Sequence, residues 1–240
     1  MAKTIVIPRE HGGWAMVSVP FLLGMFAGGP EWIHLPLFLG WFLIYLSSYP
    51  FLQAVKKVKG RAYHFKWAAG YMAGALVCLI VPLILLPELL VFVPALLVLF
   101  AVNIWHVRRK EERALLNDLA AIASFSLGGA AAYLAGGNSF NAEMFEVFLF
   151  NMLYFMGSAF FVKTIFRERG NRRWLWYAWI YHAAVLFVPW LAGNPRMTVP
   201  YLYPAVKTFL LAGKKMPAVR VGIIEIAGSL QFLFFSAFLL

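Results

Sequence analysis

FFVKTIFRERGNRRW, Phe160 to Trp174, carries five basic residues and one acid, and a long apolar stretch enters it from each side. A short loop of that charge between two such runs marks a turn at the cytoplasmic face of a membrane, where Lys and Arg are retained during insertion. Composition supports a membrane setting for the whole chain. Of 240 residues, 62% are apolar, 18% aromatic and only 13% charged, and the mean hydropathy is +0.76. A water-soluble domain of this length cannot cover so much apolar surface.

The sequence therefore reads as all-α, a polytopic membrane helix bundle forming one integral membrane domain over 1–240. Apolar segments of spanning length recur at roughly 13–28, 35–54, 67–86, 89–107, 115–135, 144–165, 174–192, 199–213 and 217–239, which predicts about nine transmembrane helices. The eighth is short and proline-flanked, so a broken or re-entrant segment is the competing reading there. Loop charges alternate along the chain. Bases gather before segment 1, at Lys56–Lys66, in HVRRKEER, in the Phe160–Trp174 loop and at Lys214–Lys215, and the intervening loops hold one base or none. This places the N-terminus in the cytoplasm and the C-terminus outside. MAKTIVIPREHGGWAM is too charged beyond its short apolar part for a cleaved signal peptide, so the first helix is expected to be retained.

The net charge of +11 is assigned to topology and to anionic lipid rather than to nucleic acid. One cysteine, Cys78, gives neither a disulfide nor a thiolate metal site. Small residues in GYMAG (Gly70, Gly74) and GGAAAYLAGG (Gly128 to Gly137) predict close helix packing. Trp174, Trp176 and Trp179 suit an interfacial aromatic belt.

Ionisable groups inside spans are costly and are the first candidates for function. Glu225 lies in the last segment, with Lys207 of the eighth as its candidate partner; the competing reading has Lys207 snorkelling to the interface. A second set falls at cytoplasmic helix ends and is expected to ring one cavity: Ser47, Ser48, Tyr49, Asn103, His106, Asn117, Asp118 and Lys163. Either Asn117 or Asp118 reads equally well as a helix N-cap. His106 and His182 read first as interface residues, and His11, beside Glu10 and Gly12-Gly13, as a head-group contact rather than one ligand of a metal. Mg²⁺ is not expected, and no cofactor is predicted. The 53–66 loop has no carboxylate and the 163–173 loop has only Glu168, whereas Mg²⁺ on a diphosphate needs several hard oxygen ligands together.

PREHGGWAM near the start, KEERALLNDLAAI (Lys110 to Ile122) and GIIEIAGSLQFLFF near the end together resemble the YwiC-like family of bacterial membrane proteins. More distantly, nine spans with long loops after the second and sixth resemble UbiA-type intramembrane prenyltransferases, whose two loops carry aspartate-rich motifs that bind prenyl diphosphate through Mg²⁺. That resemblance implies a UbiA-like bundle with a lipid-accessible cavity facing the cytoplasm. Here Lys163, Thr164, Arg167 and Asn171 stand near the expected aspartates of the second motif, and SSYPFLQAVKKVKGR in the first position has no acid. The expected function is thus binding of an amphipathic ligand, isoprenoid, quinone-like or phospholipid, in the bacterial inner membrane without ordinary Mg²⁺-dependent prenyl transfer. Arg61, Lys163, Arg167 and Arg172 would hold its head, with Arg113 in the same basic set. Two alternatives stand: a metal-independent transferase using Asp118, Glu112 or Glu225 as base, and a transporter of a small anion or peptide that depends on Glu225.

Overall fold

The computed structural model describes residues 5–8, 11–57 and 60–240, His11 by its backbone alone, so the proposed role of the His11 side chain lies outside the described residues. The chain is all-helical, with no strand among the described residues. In order come α1 (His11–Gly28), α2 (His34–Lys56), α3 (Arg61–Leu85), α4 (Phe92–Arg108, entered through a 3-10 turn, Pro87–Val91) and α5 (Leu115–Ala135). There follow α6 (Ala142–Phe166), α7 (Arg172–Val185), the single turn α8 (Val188–Leu191), a 3-10 turn (Pro195–Thr198), α9 (Val199–Leu211) and α10 (Ala218–Leu239). Among the described residues, six helical segments are long and apolar enough to cross a membrane: α2, α3, Pro87–Arg108, α5, α6 and α10.

Each of the nine expected segments holds a helix, with local departures that proline explains. The seventh is interrupted after Val185, because Pro189 has no N–H to return to α7 and starts the separate turn α8. The eighth is not broken. Helix α9 runs through Pro204 but is only 13 residues long, about 20 Å at 1.5 Å per residue. The N-cap reading of Asn117 and Asp118 is corrected. Helix α5 begins earlier, at Leu115, with Ala114 as N-cap and no side-chain cap bond, so both residues sit inside the first turn.

The helices group into two compact units, one ending at Ser139 and the other Phe140–Leu240. In the first, α1 and α5 meet at glycines. A Cβ on Gly24 would overlap the Gly129 carbonyl, one on Gly136 the Gly28 carbonyl, and one on Gly28 would come within 2.5 Å of the Tyr133 carbonyl. Gly128 leaves room for the Trp41 ring, whose Nε1–H donates to the Val17 carbonyl at 3.3 Å. The buried His34 ring accepts from the Glu31 N–H at Nδ1 (2.9 Å) and donates from Nε2 to the Ala132 carbonyl (2.8 Å), tying α2 to α5. The expectation for GGAAAYLAGG is met. In GYMAG, a Cβ on Gly74 would stand 3.3 Å from Leu43, whereas one on Gly70 would meet open space.

In the second unit, α6 packs against α7, α9 and α10. Tyr154 of α6 stacks on Phe232 of α10 with centroids 4.1 Å apart, and the Tyr201 hydroxyl of α9 donates to the Phe150 carbonyl at 2.6 Å. Phe161, Ile165 and Val221 form a buried apolar cluster where α6 runs into the α6–α7 loop.

Candidate functional site

The candidate polar residues at the helix ends divide between the two units. In the first, Asn103 of α4 donates to both the carbonyl (3.1 Å) and the side-chain oxygen (2.9 Å) of Asn117, which in turn donates to the Glu112 carbonyl at 2.8 Å. Glu112 pairs with Lys56 at 2.5 Å, and that hydrogen bond holds its carboxyl below the usual carboxylate range. These contacts clamp the α4–α5 loop onto the end of α2. Ser47 donates to the Ala68 carbonyl and Ser48 to the Tyr45 carbonyl. The buried His106 bonds the Val102 carbonyl of its own helix through Nδ1 at 2.9 Å and stacks edge-on with Trp105. Asp118 lies in the first turn of α5, Arg113 is exposed, and Arg61 is exposed at the start of α3 with its guanidinium 5.3 Å from the Phe65 ring.

In the second unit the α6–α7 loop builds a cleft of about 240 Å³, lined by Thr164, Glu168, Gly170, Asn171, Arg172, Leu175 and Gly213. Its shape follows from local chemistry. Gly170 takes a left-handed φ of 86°, so the chain reverses immediately after α6. Asn171 then caps α7, its side-chain oxygen accepting from the Arg173 N–H (3.1 Å) and its amide donating to Glu168 (2.9 Å). The one acid of the loop is thereby engaged. On the opposite wall, the Gly213 N–H donates to the Thr164 hydroxyl at 3.3 Å. Arg172 and Asn171 are exposed at the rim. Arg167 is exposed at the end of α6, and Lys163 is buried with its ammonium 5.8 Å from the Trp174 ring; neither forms a wall of the cleft.

Deeper in this unit, Lys207 of α9 forms an ion pair with Glu225 of α10, and the other carboxylate oxygen of Glu225 accepts from the Ser158 hydroxyl of α6. The side chains of Lys207 and Glu225 are 2% and 15% exposed, so Lys207 does not snorkel. Its ammonium also lies 4.5 Å from the Phe161 ring. Beside the pair, Thr208 bonds His182 of α7 at Nε2 (3.1 Å), while His182 Nδ1 bonds the Ala178 carbonyl (2.8 Å). Nδ1–H donates to that carbonyl, and in the neutral tautomer that this bond selects Nε2 accepts from the hydroxyl. Gly157 makes room for this ring, since a Cβ there would stand 3.0 Å from Nε2.

Sequence reading missed Ser158 and Thr208, because a single hydroxyl in an apolar helix carries no signal. Their spacing does. On α10, Glu225, Ser229 and Ser236 follow one face at steps of four and seven, and on α6 Asn151, Tyr154 and Ser158 do the same at steps of three and four.

The profile of the YwiC-like protein family matches residues 7–133. The chain is 37% identical over 228 residues to a protein of Bacillus subtilis (strain 168) described as "Uncharacterized protein YwiC", covering 95% of each. It is 36% identical over 225 residues to an "Uncharacterized protein" of Haemophilus influenzae, covering 93% of each. No solved structure matches. A family profile spanning more than half the chain, together with relatives aligned almost end to end, establishes that this helical membrane protein belongs to the YwiC-like family.

Proposed function

We propose that the protein is a UbiA-like, nine-span bundle of the bacterial inner membrane, N-terminus in the cytoplasm, that binds an amphipathic ligand by its anionic head. The head group sits in the α6–α7 cleft and the tail lies along the apolar helix faces. The observation that carries this reading is the cleft itself. Arg172 and Asn171 stand at its rim, Thr164 and the backbone at Gly213 form its far wall, and its one acid is bonded to Asn171. Arginine holds phosphate or carboxylate directly through charge-assisted hydrogen bonds, so the site needs no carboxylate-bound metal between protein and anion.

Native mass spectrometry of the protein released gently from detergent tests this reading. A stoichiometric adduct of an isoprenoid, quinone-like or phospholipid molecule is expected, and Arg172→Ala should reduce its occupancy about tenfold or more, as losing one charged hydrogen bond implies. An empty protein, or one carrying only scattered bulk lipid, overturns it. Transport of a small anion is the second reading, favoured by the buried Lys207–Glu225 pair. Uptake into proteoliposomes that Glu225→Gln abolishes would select it.

A further inference from the structure

At one end of the second unit the fold sets two basic segments side by side. Around the α6–α7 turn stand Arg167, Arg169, Arg172 and Arg173, all exposed. After α9 come Lys214 and Lys215 and, in the first turn of α10, Arg220, exposed as well. The two segments are some forty residues apart in sequence. They meet where the Gly213 N–H donates to the Thr164 hydroxyl, and where Leu211, Ala212 and Met216 pack on Phe161, Ile165 and Val221. Glu168 is the one carboxylate in either segment, and it accepts from Asn171. The other acids of the unit lie elsewhere: Glu225 with Lys207, and Glu143 and Glu146 at the opposite end of α6.

Exposed apolar residues begin within one helical turn of these bases. Phe166 adjoins Arg167, Trp176 and Tyr177 follow Arg173 by three and four residues, Leu210 precedes Lys214 by four, and Val219 adjoins Arg220. Residues three or four apart share a helix face. Bases that border bare aromatic and aliphatic surface in this way stand at the level of phospholipid head groups. That border favours a lipid over a soluble acidic partner, which gains nothing from the apolar part.

The number of bases bears on which lipid. A head group with one phosphate, seated in the cleft at Arg172, brings one negative charge and offers nothing to the lysines that follow Gly213 on the other wall. A head group with two phosphodiesters supplies one to each segment, where arginine grips phosphate through paired hydrogen bonds and lysine acts as a compact point charge.

We propose that this surface binds a phospholipid carrying two phosphodiesters in one head group, the cardiolipin class, one phosphate in the cleft at Arg172 and the other at Lys214 and Lys215. The acyl chains lie on the exposed apolar faces that begin at Trp176 and Val219. This rests on the head-group reading above and names the lipid.

The test titrates the purified full-length protein, in one detergent, with cardiolipin and separately with twice the molar amount of phosphatidylglycerol, which matches it in charge and acyl chains. Joining two head groups makes the second contact intramolecular, so cardiolipin should bind about tenfold more tightly or better. Lys214→Ala combined with Lys215→Ala should bring cardiolipin down to the phosphatidylglycerol level and leave phosphatidylglycerol binding, and with it the folded cleft, unchanged. Arg172→Ala should weaken both lipids. Equal affinity for the two, both weakened by Arg172→Ala, overturns the two-phosphate inference and leaves the head-group reading standing. A cardiolipin preference that survives loss of both lysines overturns the placement. Inorganic pyrophosphate binding as tightly as cardiolipin would overturn the lipid as the source of the phosphates, and a poly-glutamate peptide binding more tightly would assign the surface to an acidic protein instead. Binding of neither phospholipid overturns this inference alone; the head-group reading falls only if the protein released from detergent is empty as well.

Discussion

Replacing Lys207 by Met leaves the Glu225 carboxylate buried with Ser158 alone, so the single variant should lose about 3 kcal/mol of stability. Removing both charges, as Lys207→Met with Glu225→Leu, should restore most of it; a double variant as unstable as the single would show that packing, not charge, is responsible. The Lys56–Glu112 pair is a weaker case because Lys56 is 44% exposed, and Lys56→Ala should cost less than about 1 kcal/mol. Its pH sign is set by the depressed Glu112 carboxyl. The contribution is complete above the ordinary carboxylate range and disappears as pH falls through the depressed value. Comparing acid destabilisation of the wild type and Glu112→Gln reads it directly, and identical profiles would remove this pair from the account. At this scale the sequence was only partly legible. Glu225 and Lys207 stood out because charge in an apolar run is rare, whereas Ser158, Thr208 and Asn117 acquire meaning only from what another helix places beside them.

The elements were far more legible, because a run of some twenty apolar residues identifies a membrane helix without any periodicity to decode. What stayed hidden was local: the 3-10 entry at Pro87–Val91, the interruption between α7 and α8, and the early start of α5, each set by a few backbone hydrogen bonds rather than by hydropathy. The α1–α5 contact gives a sharp test of the packing that the glycine-rich stretch announced. Gly24→Leu puts four carbons where the backbone of Gly129 already sits and should cost about 3 kcal/mol or prevent folding. Gly70→Ala, where an added Cβ meets nothing within 4 Å, should be neutral or stabilising by up to about 1 kcal/mol. Thermal melts of the two in one detergent compare them, and equal losses would contradict the close approach.

For the whole molecule, the orientation we propose predicts which loops a membrane-impermeant thiol reagent reaches in intact cells. In a Cys78→Ala background, cysteines at 31, 88, 138 and 193 should label from outside, and those at 61, 110, 169 and 214 only after permeabilisation. External labelling at 61 or 169 would reverse the topology. The loop charges that support this orientation are read directly from sequence, whereas the grouping of the helices into a unit ending at Ser139 and another from Phe140 depends on side-chain fit and is invisible there. Helices α7 and α9, 14 and 13 residues long, have a further consequence. They reach about 20 Å, some 10 Å short of a typical hydrocarbon core. In the nine-span bundle we propose, lipid beside them has to thin locally, at a fraction of a kcal/mol for each ångström of mismatch. Acyl-chain length therefore becomes a control variable, and short-chain bilayers should favour the folded C-terminal unit over long-chain ones.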